Sequence, residues 1–113
     1  MVVEDEPMLL MAAVDAIKDT GFAILAASNA DDAIRLLEAD PQIRLVFTDI
    51  EMAGTMDGLK LAAYVHDRWP PVEIIVTSGR MLVEDIKLPA RGIFMPKPYR
   101  PEELTTQISC LIG

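Results

Sequence analysis

The chain has 113 residues, of which 51% are hydrophobic and 25% charged, so it has enough apolar material for one compact core and is not a disordered segment. Its formal net charge of -8 repels phosphates, which argues against direct binding to nucleic acid or to an anionic membrane, and no apolar run is long enough to cross a bilayer. A single cysteine excludes an internal disulfide. We therefore expect one soluble, cytoplasmic domain over residues 1–113.

The first part of the chain alternates short β-rich runs with helical patterns. Val2-Val3 is a short first strand, either trimmed or unusually short, and the apolar residues after Pro7 repeat at helical spacing. A second β-rich run, Phe22–Leu25, leads through a cap at Asn29 into a second helix, which Pro41 ends. The pattern indicates two strand-helix units in succession.

The rest of the chain continues this alternation. Three further strands are expected at Ile43–Thr48, Val72–Val76 and Gly92–Met95. A third helix, capped by Asp57, fills the interval before Pro70, and a weakly helical segment, Met81–Lys87, precedes the fifth strand. The last helix starts at Pro101, a residue suited to a first helical position.

Five strands that alternate with helices predict an α/β fold, a doubly wound parallel sheet with helices on both faces, because parallel strands need crossover connections. In such sheets ligands bind outside the carboxyl ends of the strands. Polar residues follow four of the expected strands: Glu4, Asp5, Asp49, Thr77, Ser78 and Lys97. We expect these side chains to meet at one edge of the sheet.

Five fragments, spread over essentially the whole chain, resemble the receiver domain of bacterial response regulators. They are VVEDEP at 2–7, VFTDIEM at 46–52, MDGL at 56–59, IVTSG at 75–79 and MPKPY at 95–99. The resemblance implies a flavodoxin-like (βα)5 fold with strand order 2-1-3-4-5. It also implies a two-component signalling domain that catalyses its own phosphorylation and dephosphorylation only, rather than an enzyme.

The resemblance assigns Asp49 as the phosphoacceptor, which takes a phosphoryl group from a histidine kinase or a histidine phosphotransfer protein. Lys97 and the Thr77 hydroxyl would stabilise the charge on the phosphoryl oxygens. Three neighbouring carboxylates repel one another unless a cation intervenes, and Mg²⁺ suits carboxylate ligands. The implied Mg²⁺ ligands are Asp5 and Asp49 directly, Glu4 partly through water, and the backbone carbonyl of Glu51.

The resemblance also implies a conformational switch. Phosphorylation would draw Thr77 toward the site and turn the aromatic ring of Phe94 inward. The Lys97–Pro98 peptide bond is cis in the family, which would aim the lysine inward. A downstream protein would then read the face built from the predicted fourth helix, the fifth strand and the last helix, and a weak homodimer is a further option.

The sequence departs from the family pattern beside Asp49. Ala53 stands where a proline is usual, and the loop that follows is one residue longer than common. Glu51, two positions after Asp49, could repel or redirect an attacking water, whereas Gly79, two after Thr77, offers no side chain there. These departures leave the lifetime of the phosphoryl group open.

Each assigned residue also has a simpler interpretation. Asp49 could cap a turn, Lys97 could be a surface lysine, and Glu4 and Asp5 could belong to a solvated acidic turn. Thr77 could be only a strand residue, with Ser78 in its place if the alignment slips by one, and Phe94 could simply pack in the core. The seven methionines are expected to fill the core, and Cys110 to pack inertly in the last helix.

Two other functions stay open. One is a receiver-fold interaction module that acts without phosphorylation, and the other is a metal-dependent phosphohydrolase with an Asp nucleophile, which turnover of a phosphate ester would favour. Nucleotide binding of the flavodoxin type is disfavoured, because the sequence has no phosphate-binding loop after the first strand. The domain is either a stand-alone regulator or the receiver part of a longer protein such as a hybrid histidine kinase.

Overall fold

The computed structural model describes residues 1–54, 56–81 and 85–113. Its strands are β1 (Val2–Val3), β2 (Ala26–Ala27), β3 (Leu45–Asp49), β4 (Glu73–Ser78) and β5 (Ile93–Pro96). Its helices are α1 (Pro7–Lys18), α2 (Ala30–Ala39), α3 (Gly58–Arg68) and α4 (Pro101–Ile112). The five strands form one parallel sheet in the order β2-β1-β3-β4-β5, which confirms the predicted fold and strand order. Within the described ranges, no helix combines the length and apolar character needed to cross a membrane.

The sheet separates two hydrophobic layers because neighbouring side chains on a strand point to opposite faces. On β3, Val46 packs with α2 and α3, whereas Leu45 and Phe47 pack with α1 and α4. All residues of β3 are buried, as expected for a central parallel strand covered on both faces. This two-sided burial fixes the register of β3, and therefore the position of Asp49 at its end.

Side-chain caps fix where two of the helices begin. The Asn29 side chain accepts a hydrogen bond from the Asp32 N–H (2.8 Å), and the Asp57 side chain accepts one from the Lys60 N–H (2.9 Å). Caps of this kind contribute about 1 kcal/mol each. Both caps confirm the sequence-based assignments, and Asp57 starts the helix that directly follows the loop after Asp49.

The predicted second strand, Phe22–Leu25, was placed too early. In the structure β2 is Ala26–Ala27, which pairs with Val2 and Val3 of β1. Because β1 has only two residues, the ladder can form only where β1 reaches: the Val2 N–H donates to the Leu25 carbonyl oxygen (2.8 Å), whereas Phe22 and Ile24 only pack against the hydrophobic layer. The first strand has its predicted bounds, those of β3, β4 and β5 differ by one or two residues at each end, and β4 extends to Ser78 because it continues to pair with β5.

Two expectations about burial were wrong. Met8 and Met11 are 77% and 66% exposed on α1, although methionines were expected in the core, because this helix buries only the face of Ala13 and Ile17. Cys110 is exposed because it lies two residues after buried Ile108, on another side of α4.

The weakly helical segment predicted at Met81–Lys87 includes residues 82–84, which lie outside the described part of the chain.

Candidate functional site

Three carboxylates meet at the carboxyl edge of the sheet. Glu4 and Asp5 follow β1, Asp49 ends β3, and one oxygen from each lies within 4.8 Å of the others. They meet because β1 and β3 are paired neighbours, with Val3 opposite Thr48. Glu4 and Asp49 are buried, whereas Asp5 is exposed, so the cluster has a closed inner side and an open outer side.

Lys97 brings a positive charge to the buried side of this cluster. Its Nζ lies 3.1 Å from Asp49 Oδ2 and 3.5 Å from Glu4 Oε1. The Lys97 backbone N–H donates to the Ser78 carbonyl oxygen (2.9 Å), which ties the lysine to the end of β4, and the following Lys97–Pro98 peptide bond is cis. The ammonium group therefore faces two buried carboxylates from a backbone position that is hydrogen-bonded to the end of β4.

The electrostatics of the cluster show that its negative charge is only partly compensated. Burial raises the pKa of Glu4 to about 7, with further contributions from a hydrogen bond with Asp49 and from the charges of Asp49 and Asp5, against the opposing effect of Lys97. Burial lowers the pKa of Lys97, but its interactions with Asp49 and Glu4 outweigh this, so the net shift is upward. The lysine is therefore firmly protonated, while one carboxyl group of the cluster retains a proton up to neutral pH.

The loop after Asp49 orients the open side of the cluster. The Ala53 N–H donates to Asp5 Oδ2 (3.0 Å), and the Glu51 N–H donates to Asp49 Oδ1 (3.4 Å). Carboxylate oxygens are the ligands that hard divalent cations such as Mg²⁺ prefer. The donor set of Glu4, Asp5 and Asp49 therefore fits such a cation, which would also offset the repulsion that adds to the effect of burial on the pKa of Glu4.

Thr77 lies beside Asp49 in the register of β3 and β4, but its hydroxyl is engaged elsewhere. The buried Thr77 hydroxyl donates to the Met95 carbonyl oxygen on β5 (2.7 Å). Phe94, the residue before Met95, is half-buried and packs against the hydrophobic layer that includes α2 and α3. The structure thus brings Glu4, Asp5, Asp49 and Lys97 together directly, while Thr77 and Phe94 lie one step away along β4 and β5.

Two features of the site were missed in the sequence analysis. Glu51 was considered there for its backbone carbonyl and for its charge beside an attacking water, but its carboxylate also accepts hydrogen bonds from the Ser78 hydroxyl (2.6 Å) and the Gly79 N–H (3.2 Å). At Gly58, an added Cβ would overlap the Asp49 carbonyl oxygen, so only glycine fits where α3 starts against the end of β3. The MDGL fragment contains this glycine, but its contact partner could not be read from the sequence.

A cleft of about 540 Å³ opens next to the cluster. Asp49 and Lys97 line its polar end, and Leu9 of α1 and Tyr99 line its apolar part. The Tyr99 ring makes an edge-to-face contact with Phe47, with ring centroids 5.6 Å apart. The cleft gives access to a carboxylate flanked by an ammonium group and an acidic cation site, an arrangement suited to nucleophilic attack on a phosphoryl group.

Comparisons with known proteins identify the family of this chain. The family model of the response regulator receiver domain matches residues 1–109. A putative response regulator, NtrX-like, of Rickettsia bellii is 29% identical over 109 residues, which cover 92% of this chain and 22% of the relative. The nitrogen assimilation regulatory protein NtrX of Azorhizobium caulinodans is 29% identical over 108 residues, which cover 92% of this chain and 24% of that protein. The chain thus spans less than a quarter of the length of these curated relatives.

Solved structures agree over the whole fold. A response regulator receiver protein from Sinorhizobium medicae matches with a TM-score of 0.87 and 29% identity, covering 97% of this chain and 90% of that one. The receiver domain of NtrX from Brucella abortus matches with a TM-score of 0.86 and 27% identity, covering 98% and 95%. Since the family model covers nearly the entire chain and the fold is the same, this chain belongs to the response regulator receiver domain family.

Proposed function

We propose that this domain is the phosphoacceptor of a cytoplasmic two-component system, in which Asp49 takes a phosphoryl group from a histidine kinase or a histidine phosphotransfer protein. The observation that carries this proposal is the position of Asp49, whose Oδ2 lies 3.1 Å from Lys97 Nζ in a cluster with two further acids. The name of the Rickettsia bellii relative, a putative response regulator, supports the same assignment.

In the proposed reaction, an Asp49 carboxylate oxygen attacks the phosphorus of a phosphohistidine. The new O–P bond forms as the P–N bond breaks, and the imidazole of the donor, which carries a proton on its other ring nitrogen, leaves as neutral histidine. Lys97 balances negative charge on the phosphoryl oxygens, since its ammonium group already faces Asp49. Mg²⁺, when held by Asp5, Asp49, partly Glu4 and the Glu51 carbonyl, would neutralise further charge on those oxygens.

The proposed switch starts at Thr77. Phosphorylation adds roughly two negative charges and several strong hydrogen-bond acceptors next to this residue. The Thr77 hydroxyl would leave the Met95 carbonyl oxygen and donate to a phosphoryl oxygen, which frees β5 at the residue next to Phe94. We propose that a downstream protein detects the resulting change on the face that includes β5 and α4.

Intact-mass measurement tests the assignment of Asp49. The wild-type domain, incubated with Mg²⁺ and acetyl phosphate, should gain the mass of one phosphoryl group, whereas Asp49→Asn should gain none. Asp67→Asn, on the exposed part of α3, is the matched control and should be phosphorylated like the wild type. An equal adduct on Asp49→Asn would contradict the proposal.

The same experiment separates the other functions. No adduct on the wild type, with either acetyl phosphate or a phosphorylated kinase, would favour an interaction module that acts without phosphorylation. Steady turnover of a phosphate ester by the free domain would favour a phosphohydrolase instead.

A further inference from the structure

The Glu51 carboxylate joins the loop after β3 to the end of β4. Its Oε2 accepts a hydrogen bond from the Ser78 hydroxyl (2.6 Å), and its Oε1 accepts one from the Gly79 N–H (3.2 Å). Ser78 is buried and Glu51 is half-buried, so the charge-assisted bond between them is partly shielded from competing water, whereas the bond from Gly79 is exposed. We call this contact between Glu51, Ser78 and Gly79 the Glu51 latch.

The latch occupies donors that lie beside the position of an incoming phosphoryl group. Ser78 directly follows Thr77, which is the register partner of Asp49, and Gly79 lines the same cleft as Asp49. The Glu51 backbone N–H itself donates a hydrogen bond to Asp49 Oδ1 (3.4 Å). A phosphoryl group on Asp49 would thus arrive among donors that another anion already holds.

Ser78 extends the latch to the turn that leaves β4. Its hydroxyl oxygen accepts hydrogen bonds from the backbone N–H groups of Arg80 (3.1 Å) and Met81 (3.0 Å). Movement of the Ser78 hydroxyl would therefore also change the hydrogen bonding of residues 80 and 81. The latch connects the phosphoacceptor loop with the segment between β4 and β5.

We propose that Glu51 is a positioning residue that holds the end of β4 in its unphosphorylated arrangement and is displaced when Asp49 carries a phosphoryl group. This inference rests on the proposed function. The phosphoryl group repels the Glu51 carboxylate and competes with it for the same donors. Because coupling between two sites is reciprocal, the latch also weakens the affinity of the domain for a phosphoryl group or its mimic.

The latch makes a different prediction from charge repulsion alone. Glu51→Asp keeps the negative charge, but its shorter side chain draws the carboxylate back from Ser78 and Gly79, so it removes the latch and retains the repulsion. Glu51→Ala removes both. If the hydrogen bonds matter, both variants should bind a phosphoryl mimic more tightly than the wild type.

The test measures the affinity for beryllium trifluoride, a phosphoryl mimic, by calorimetry at saturating Mg²⁺. Glu51→Ala and Glu51→Asp should each bind about tenfold more tightly, the size expected for charge-assisted hydrogen bonds. Glu6→Gln removes the charge of an exposed acid next to Asp5 and should bind like the wild type. Wild-type affinity in Glu51→Asp combined with tighter binding by Glu51→Ala would mean repulsion alone and would overturn the latch.

Ser78→Ala breaks the same contact from the other side and keeps the test valid if a Glu51 variant does not fold. Ser78→Ala should tighten binding in the wild-type background and add nothing further when combined with Glu51→Ala. Fully additive effects would overturn the proposal. As a readout without phosphoryl chemistry, the Gly79 amide proton should shift in the NMR spectrum of free Glu51→Ala and Glu51→Asp, and an unchanged signal would contradict the latch.

The outcomes also separate the latch from the function on which it rests. If the wild type does not bind the mimic at all, the proposed phosphoacceptor function fails and the latch fails with it. If the wild type binds but Glu51→Ala binds no more tightly, only the latch is wrong.

Discussion

Asp49 and Lys97 are 48 positions apart in the sequence, yet Lys97 Nζ lies 3.1 Å from Asp49 Oδ2. The lysine side chain is 24% exposed, and both of its carboxylate partners are less exposed than the lysine itself. Removing one partner of a largely buried pair leaves the other charge uncompensated, which costs more than removing a surface pair. The lysine is therefore important for stability as well as for the proposed chemistry.

We predict that Lys97→Met lowers the free energy of unfolding at pH 8 by about 2 kcal/mol, a value reduced from that of a fully buried pair because the lysine is partly exposed. Urea unfolding measures this change. The control is Lys18→Met, whose 3.5 Å pair with Asp15 is mostly exposed and should contribute less than about 1 kcal/mol. Equal losses in the two variants would show that Lys97 is only a surface lysine.

The raised pKa of Glu4 predicts how stability varies with pH. The pKa of Glu4 is about 7 in the metal-free folded domain and 4.5, its ordinary value, in the unfolded chain, so the folded state holds the proton more tightly. The contribution of protonated Glu4 to the free energy of unfolding is complete below pH 4.5. It is lost as the pH rises through 7, which lowers the free energy of unfolding by about 3 kcal/mol.

Glu4→Gln should remove this dependence, because the amide does not titrate. The measurement is the free energy of unfolding in urea with EDTA between pH 4.5 and 8, taken as the difference between wild type and variant. The variant should gain stability relative to the wild type as the pH rises. A difference that stays constant over this range would refute the raised pKa.

Mg²⁺ should bind the cluster and displace the proton from Glu4, so the affinity for Mg²⁺ should increase between pH 6 and pH 8. Asp5→Asn should weaken Mg²⁺ binding about tenfold or more, since loss even of an indirect partner has effects of that size. Calorimetric titration at the two pH values measures both effects. Glu6→Gln is the control, and an equal loss in that variant would indicate nonspecific attraction by acidic charge.

Much of this site could be predicted because strand ends in a parallel sheet converge. Glu4, Asp49 and Lys97 lie at the carboxyl ends of three different strands, and their meeting follows from the topology of the sheet. The error at Phe22–Leu25 arose because a β-rich pattern does not show where a two-residue partner strand ends.

Side-chain direction was harder to foresee. The Thr77 hydroxyl donates to the Met95 carbonyl oxygen, and the Glu51 carboxylate accepts from Ser78 and Gly79. Both contacts depend on residues that lie on or next to other strands. The exposure of Met8 likewise depends on which face of α1 the sheet covers, since this helix is apolar on more than one side. Such details come from packing rather than from local pattern.

Gly58 supports Asp49 through backbone packing, and we predict that Gly58→Ala lowers the free energy of unfolding by about 3 kcal/mol, as severe overpacking does. The added methyl group would overlap the Asp49 carbonyl oxygen, which is backbone and cannot rotate away. Gly79→Ala is the matched control, because its methyl group would meet only the Lys97 side chain at 3.7 Å. Thermal unfolding distinguishes them, and equal midpoints would mean that the loop adapts freely.

The exposed apolar residues of α1 predict where a phosphoryl donor protein makes contact. Met8, Leu9 and Met11 are large hydrophobic side chains with 77%, 44% and 66% exposure, and Leu9 lines the cleft that holds Asp49. Exposed apolar groups beside a reactive site commonly mark a protein interface. A histidine kinase that delivers a phosphoryl group through this cleft would therefore pack against the start of α1.

We predict that Met11→Ser slows phosphotransfer from a phosphorylated histidine kinase at least about fivefold, in proportion to the apolar area withdrawn from the interface. Phosphorylation by acetyl phosphate should be unchanged, because a small donor needs no such surface. Time courses with both donors measure the two rates on the same protein. A parallel decrease in both would place the defect in the site itself, and no decrease in either would exclude Met11 from the docking surface.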